Sequence, residues 1–414
     1  SLGSRAARDA ALLRTMPQVI TKDELVASLP PVATIMDAMK AAYVQYSDGK
    51  AWVAPVSHVL IEGRGDACIK AGYVKQQSSW VVKVAGGFPG NAALGLSNSQ
   101  GVMLLFSQRT GELESVLADG GHLTDVRTAA AAALCVREFM PAGAQRLAVF
   151  GTGVIAKLVA EYCAPMFPDG ELMVVSRSEA SARAFGTFAA TKGWRHTTVA
   201  PLDVVESRAD VVVTCTPATA PVLRGVRPGA CVVALGADVP GKRELGDGVL
   251  RGDDVRLLVD SAVQCLKFGE AAYKPAGLAA SELGARFRKP QEARDPKHTI
   301  VCDLTGVAVQ DVAIATTVAA AVAAAPPEPL VLGARPRLGV ARVLEQVLEP
   351  RPLLGGLREP LLRVREGARR LAQRVVPRLP RPRRELDRAR DVLRAHGLVR
   401  RQGGALFCCV DALD

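Results

Sequence analysis

Two different rhythms of apolar positions divide the chain. From residue 146 onward short unbroken apolar runs recur: RLAVF (146–150), ELMVVS (171–176), ADVVVTCT (209–216), ACVVALGA (230–237) and VRLLVDS (255–261). Runs of this kind, rich in β-branched residues and spaced by helix-like stretches, mark strands buried on both faces of a parallel sheet. A doubly wound α/β domain is therefore expected over residues 136–298.

Residues 17–135 read differently. One helix is expected around DELVASLPPVATIMDAMKAAYVQYSDGK, followed by strand-like AWVAPVSHVLIE, DACIKAGYVKQ and WVVKVAGG. In GVMLLFSQRTGELESVLADGG two further runs flank the turn SQRTGE, a hairpin signal. This half should be a mostly antiparallel α+β domain. The segment 299–325 reads strand, glycine turn, helix, and its pattern fits a return to either half.

Charge changes the picture only once it is located. The net charge is +11, but residues 326–414 hold 19 Arg, no Lys and 10 acidic residues, so residues 1–325 are close to neutral. No nucleic-acid partner is expected for the folded part. The tail has one aromatic, Phe407, and many prolines, and lysine stops after Lys297. Such a composition predicts a poorly ordered appendage. Residues 1–16, rich in Arg and Ala with Asp9 as their only acid, read as a disordered leader or fragment end. A cytoplasmic location is expected, or an organelle if that leader is the remnant of a transit peptide. The longest small-apolar run, AIATTVAAAVAAA (313–325), is too short to span a bilayer, so no membrane partner is expected. Nine cysteines show no C-x-x-C pair, and no metal site is expected.

The candidate chemistry starts with misplaced charges. Lys83 interrupts the valine run of SSWVVKVAGG, where an unpaired ammonium would be costly to bury. In HLTDVRTAAAAALCVREFM, Thr124 reads as a helix N-cap and His122 as a loop residue. Arg127 then falls in the first turn, where the helix dipole disfavours a cation. An arginine beside free N–H groups fits an anion shared by both, so Arg127 reads as a carboxylate clamp.

FGTGVIAKLVAEY follows a predicted strand and opens a predicted helix. Gly151, Thr152, Gly153, Val154, Ile155 and Ala156 thus form a G-x-G-x-x-A dinucleotide loop. The next strand ends at Ser176, Arg177, Ser178, where an NAD site would place an acid for the ribose hydroxyl. A guanidinium between two hydroxyls suits a 2′-phosphate, so NADP(H) is preferred and NAD(H) is the other candidate. Asp238, just past the fourth strand in ALGADVPGKREL, falls where open α/β sheets bind ligands. Thr216 and Gly236, at strand ends, complete the expected cofactor set.

In order, VVKVAGGFPGN, LTDVRTAAAAA, FGTGVIA, VVVTCTPATAPVL and GADVPGKREL resemble the ornithine cyclodeaminase and μ-crystallin family over roughly residues 20–325. The resemblance implies a Rossmann domain joined to an antiparallel-sheet domain that forms a homodimer. It implies Lys83 and Arg127 as ligands of a substrate carboxylate and Asp238 as the acid/base group, making Lys83 and Asp238 the expected catalytic pair. The family often has an arginine where this chain has Ser57, so one of the expected substrate ligands is altered. The activity implied is NAD(P)H-dependent reduction of an imino acid, a ketimine or cyclic imine, or the reverse oxidation of an amino acid. The alternatives are ornithine cyclodeamination with bound NAD, or a non-catalytic NADPH and small-ligand binding protein of μ-crystallin type.

Overall fold

The computed structural model describes residues 17–289 and 295–325, together with two short antiparallel strands, Arg400–Gln402 and Ala405–Phe407. The leader expectation, and the tail expectation apart from those two strands, lie outside the described residues.

The first half opens with β1 (Gln18–Thr21), α1 (Lys22–Ala27) and α2 (Val32–Ser47). The single helix expected here is two, because Pro30 and Pro31 break it: the residue before a proline is driven out of the α region. A capping box between Thr21 and Glu24 starts α1. The strands that follow are β2 (Ala51–Val53), β3 (Ser57–Ile61), β4 (Gly65–Val74), β5 (Ser79–Gly87), β6 (Ser99–Ser107) and β7 (Leu113–Ala118). They lie in the order β1-β7-β6-β5-β4-β2, with β3 also paired to β4. Only the β1–β7 pair is parallel. Pro55 splits the stretch read as one strand into β2 and β3.

Helix α3 (His122–Phe139) leads from this sheet into the second. Its run Ala129–Val136 is buried on every side, and the small side chains let it lie against α2 and β6 as well as α4 (Val154–Cys163) and β12 (Cys231–Ala234).

The second sheet adds β8 (Arg146–Phe150), β9 (Glu171–Val175), β10 (His196–Val199), β11 (Val211–Thr214), β13 (Val255–Val259), β14 (Ala280–Glu282) and β15 (Thr299–Asp303) to β12. All eight are parallel, in the order β10-β9-β8-β11-β12-β15-β13-β14. The five long apolar runs are its β8, β9, β11, β12 and β13. The pattern missed β10 and β14: β10, sequence HTTV, is exposed throughout and carries no apolar run, and β14 has only three residues. The connecting helices are α5 (Glu179–Thr191), α6 (Leu202–Arg208), α7 (Asp247–Leu250), α8 (Ala262–Phe268) and α9 (Leu283–Phe287). The chain order reverses between β8 and β11, the switch point at which such sheets open a crevice at their carboxyl ends.

The last described stretch of this unit joins both halves. Strand β15 inserts between β12 and β13, and the following helix, α10 (Ala308–Ala324), leaves the parallel sheet to lie on β4 and β5 beside α2 and α3.

Candidate active site

Where α10 meets the antiparallel sheet, cations from three elements gather round one carboxylate. Lys83 Nζ of β5 lies 3.0 Å from Asp311 Oδ1, and Arg127 Nε of α3 lies 3.2 Å from the same oxygen. Lys70 of β4 stands directly opposite Lys83 in the strand register and donates to the carbonyls of Thr305 and Gly306 at 3.2 and 2.6 Å. All four side chains are buried, Lys83 and Asp311 to 2% exposure.

The pairing is incomplete. Among the described residues, Arg127 Nε makes no hydrogen bond despite its 3.2 Å approach to Asp311 Oδ1, and Asp311 Oδ2 has no donor. The remaining contact of the guanidinium is a long one, Nη1 to Gln310 Oε1 at 3.4 Å. Burial pushes Lys83 down to about 7; Asp311 opposes this, and Arg127 and Lys70 add to it. Burial would raise the Asp311 carboxyl, but Lys83, Arg127 and Lys70 together hold it below its ordinary range. Three buried basic groups thus meet at Asp311, and the buried Asp125 carboxyl, pushed up to about 6 by burial, is held back by Arg127.

The turn between β15 and α10 gives this cluster its shape. Gly306 has φ +80°, which favours glycine, and a Cβ there would stand 2.8 Å from Arg127 Nη1 and so displace the guanidinium. Asp260, at the end of β13, fixes the turn from behind: Oδ2 accepts from Gly306 N at 2.6 Å and Oδ1 from the Thr305 hydroxyl at 3.0 Å.

The route by which the sequence pointed to Arg127 needs correcting. Helix α3 starts at His122 with Gly121 as N-cap, and Asp119 Oδ2 accepts from Leu123 N at 2.7 Å. Thr124 is therefore inside the helix, its carbonyl accepting from Thr128. His122 opens the helix rather than sitting in a loop. Arg127 is the sixth helical residue, beyond the free N–H groups of the first turn. Its side chain, not the helix start, meets Asp311.

Asp238 follows β12 and pairs with Lys242 at 2.6 Å while remaining 45% exposed. The Cys68 thiol of β4 is pushed up by burial, with Asp238 and Asp66 adding to the effect and Lys70 and Lys83 opposing it. Further out along this face, His58 Nε2 lies 2.7 Å from Asp66 Oδ2. Ser57 is not brought to the cluster: it is exposed and pairs with Ile69, one residue out of phase with Lys70.

At the switch point, Gly151 has φ +107°, and a Cβ on it would stand 3.0 Å from the Cys215 carbonyl. Gly153 caps α4 without a side-chain hydrogen bond, and nothing lies within 4 Å of where its Cβ would be. Thr152 and Val154 border this open helix start, Ile155 is half-buried and Ala156 is packed in the core. Unblocked N–H groups at a helix start beside the crevice fit a dinucleotide pyrophosphate. Thr216 and Gly236 are tied to one buried acid. Glu244 Oε1 accepts from the Thr216 N–H and hydroxyl, both at 2.7 Å, and Oε2 accepts from Gly236 N at 2.7 Å and the Thr214 hydroxyl at 2.8 Å. The Ser176 hydroxyl accepts from Ser178 N, and Ser178 caps α5, so in this trio exposed Arg177 is the side chain not engaged in local capping.

The family model that describes the ornithine cyclodeaminase/mu-crystallin family matches residues 16–325. The chain belongs to this family. Among its relatives is a putative dehydrogenase of Rhizobium meliloti, 32% identical over 73% of this chain and 94% of that protein. The ketimine reductase mu-crystallin of Mus musculus is 29% identical over 74% of this chain and 97% of its own length. Among solved structures, an archaeal alanine dehydrogenase dimer with bound NAD is 26% identical, with a TM-score of 0.66 over 74% of this chain and 95% of that one. Other relatives in the family are named as imino acid reductases or as cyclodeaminases.

Of the residues that shape this family member's site, the sequence reading passed over Lys70, Asp311, Gln310 and Glu244. Two of them carried a signal. Asp311 is the only charge in the otherwise apolar α10, and Lys70 interrupts ACIKAGYV much as Lys83 interrupts its own strand. Glu244, in the polar stretch GKRELGDG, carried none.

Proposed function

We propose that this chain reduces an α-imino acid, open-chain or cyclic, with a nicotinamide dinucleotide. The observation that carries the reading is the buried, under-paired cluster of Arg127, Lys83 and Lys70 around Asp311; Asp238 acts electrostatically on the same Cys68 thiol as Lys70 and Lys83 do. A substrate carboxylate completes the pairing, with the idle Arg127 Nε–H among its donors. When bound along Gly151–Ala156, the dinucleotide supplies hydride for the imine carbon.

The chain's own groups do the rest. Arg127 and Lys83 orient the carboxylate and so place the imine toward the parallel sheet. Lys83, close to neutrality in the free site, gains a proton as the carboxylate arrives and can polarise the imine from that side. Asp238, held by Lys242, takes or returns the proton on nitrogen. At the ribose end Arg177 favours a 2′-phosphate, so NADPH is the preferred donor. The alanine dehydrogenase relative is a dimer. The same assembly here would use the outer strands β2 and β3, where Trp52, Val59 and Leu60 are exposed.

The test is oxidation of NADPH and of NADH on mixing with cyclic and acyclic imino acids, set beside L-ornithine with NAD⁺. Stoichiometric cofactor oxidation with an imino acid is expected. Ammonia release from ornithine without net cofactor turnover would replace this reading with cyclodeamination.

A further inference from the structure

Lys70 has no part in the machinery implied by the resemblance, yet its surroundings are those of a binding group. It is 5% exposed and sits in the strand register directly opposite Lys83. Like charges directly opposite on adjacent strands repel, and burial removes the water that would screen them. The two hydrogen bonds of its ammonium go to the carbonyls of Thr305 and Gly306, and neither acceptor carries charge. A neutral donor could fill both. One of its three N–H groups is left over.

The nearby carboxylate, Asp311, is already shared by Lys83 and Arg127. Asp260 approaches the same turn, but its oxygens are taken up by Gly306 N and the Thr305 and Cys265 side chains. Ser57, where a further cation is expected from the resemblance, carries no charge and lies out of phase with Lys83.

We propose that Lys70 is a third cation of the anion site, holding the substrate carboxylate together with Lys83 and Arg127. This rests on reading the cluster as a carboxylate site and not on the reaction that follows.

The test is calorimetric binding of pyruvate and of L-proline to the full chain saturated with NADPH or NADP⁺. Lys70→Gln keeps donors for the two carbonyls and removes the charge. It should weaken both probes roughly 10- to 100-fold, as expected for one charge-assisted hydrogen bond, and leave dinucleotide affinity unchanged. Lys70→Arg should bind within about threefold of the unmodified chain. Lys70→Met should behave like Lys70→Gln, and if it does not fold, the Gln and Arg variants decide. Unaltered probe binding in Lys70→Gln would overturn the proposal and leave Lys70 as a brace for the turn. An unmodified chain that binds neither probe would overturn the carboxylate site itself. Binding of the probes with no imino acid reduced would overturn only the reaction and support the role of Lys70.

Discussion

Lys83 and Asp311, 228 residues apart in the chain, meet at 3.0 Å in a contact buried from solvent on both sides. The strand supplies the base and the last long helix supplies the acid, so the pair forms only when α10 has docked on the antiparallel sheet.

Removing the acid should therefore cost more than removing a surface charge. Asp311→Ala removes the carboxylate that buried Lys83 and Arg127 share, and is expected to destabilise the chain by about 3–5 kcal/mol. Urea unfolding of the two proteins measures this. A loss below about 1 kcal/mol would mean that these basic groups are not held charged in the folded chain.

Carboxylate binding should take up a proton. Lys83 titrates at about 7 in the free site because burial disfavours its charge, and an incoming carboxylate favours that charge. The complex then holds more protons than the free chain at pH values above about 7. Affinity for a carboxylate should accordingly decline as pH rises from there toward the higher value reached in the complex. Calorimetry at pH 8 in buffers of different ionisation enthalpy reads the uptake directly, and Lys83→Met should abolish it. Equal heats in all buffers for the unmodified chain would refute the coupling.

Proton handling and carboxylate grip should separate by mutation. Asp238→Asn is expected to lower kcat by about 10²- to 10⁴-fold with KM nearly unchanged. Arg127→Ala should weaken substrate binding by about 2–4 kcal/mol through the lost fork. Steady-state kinetics with one active imino acid distinguishes them. Full turnover by Asp238→Asn would move the acid role to Lys83.

Cofactor choice should follow one side chain. Since Ser176 and Ser178 spend their hydroxyls on local backbone groups, Arg177 is left to recognise the ribose substituent. NADPH should bind at least about tenfold tighter than NADH, and Arg177→Asp should reverse that order. Equal dissociation constants for the two in the unmodified chain, measured by fluorescence titration, would remove Arg177 from this role.

Much of this architecture was legible because its strands are long and apolar. The runs at 146–150, 211–214 and 231–234 announce a parallel sheet because they are short, rich in β-branched residues and spaced by helix-like stretches. Lys83 stood out for the same reason, as a charge where the pattern forbids one. Asp311 broke an apolar pattern as well, but its meaning depends on Lys83 and Arg127, which approach it only through the tertiary fold. Glu244 shows the opposite case. It lies in a polar loop that any surface could carry, and it is fully buried because four donors from Thr214, Thr216 and Gly236 converge on it. Periodicity reports burial of whole faces and is blind to single acids that are buried by the company they keep.

The insertion of β15 between β12 and β13, followed by the departure of α10 to the other sheet, makes the two halves inseparable as genetic cassettes. A fragment ending at residue 298 would leave a slot in the middle of the parallel sheet and strip the opposite half of Asp311 at the same stroke. Exchanging the dinucleotide half between relatives therefore requires two crossover points, one near the end of α3 and a second within Leu304–Val307. A chimera built with the first alone would mismatch the strand and helix that stitch its two parents together.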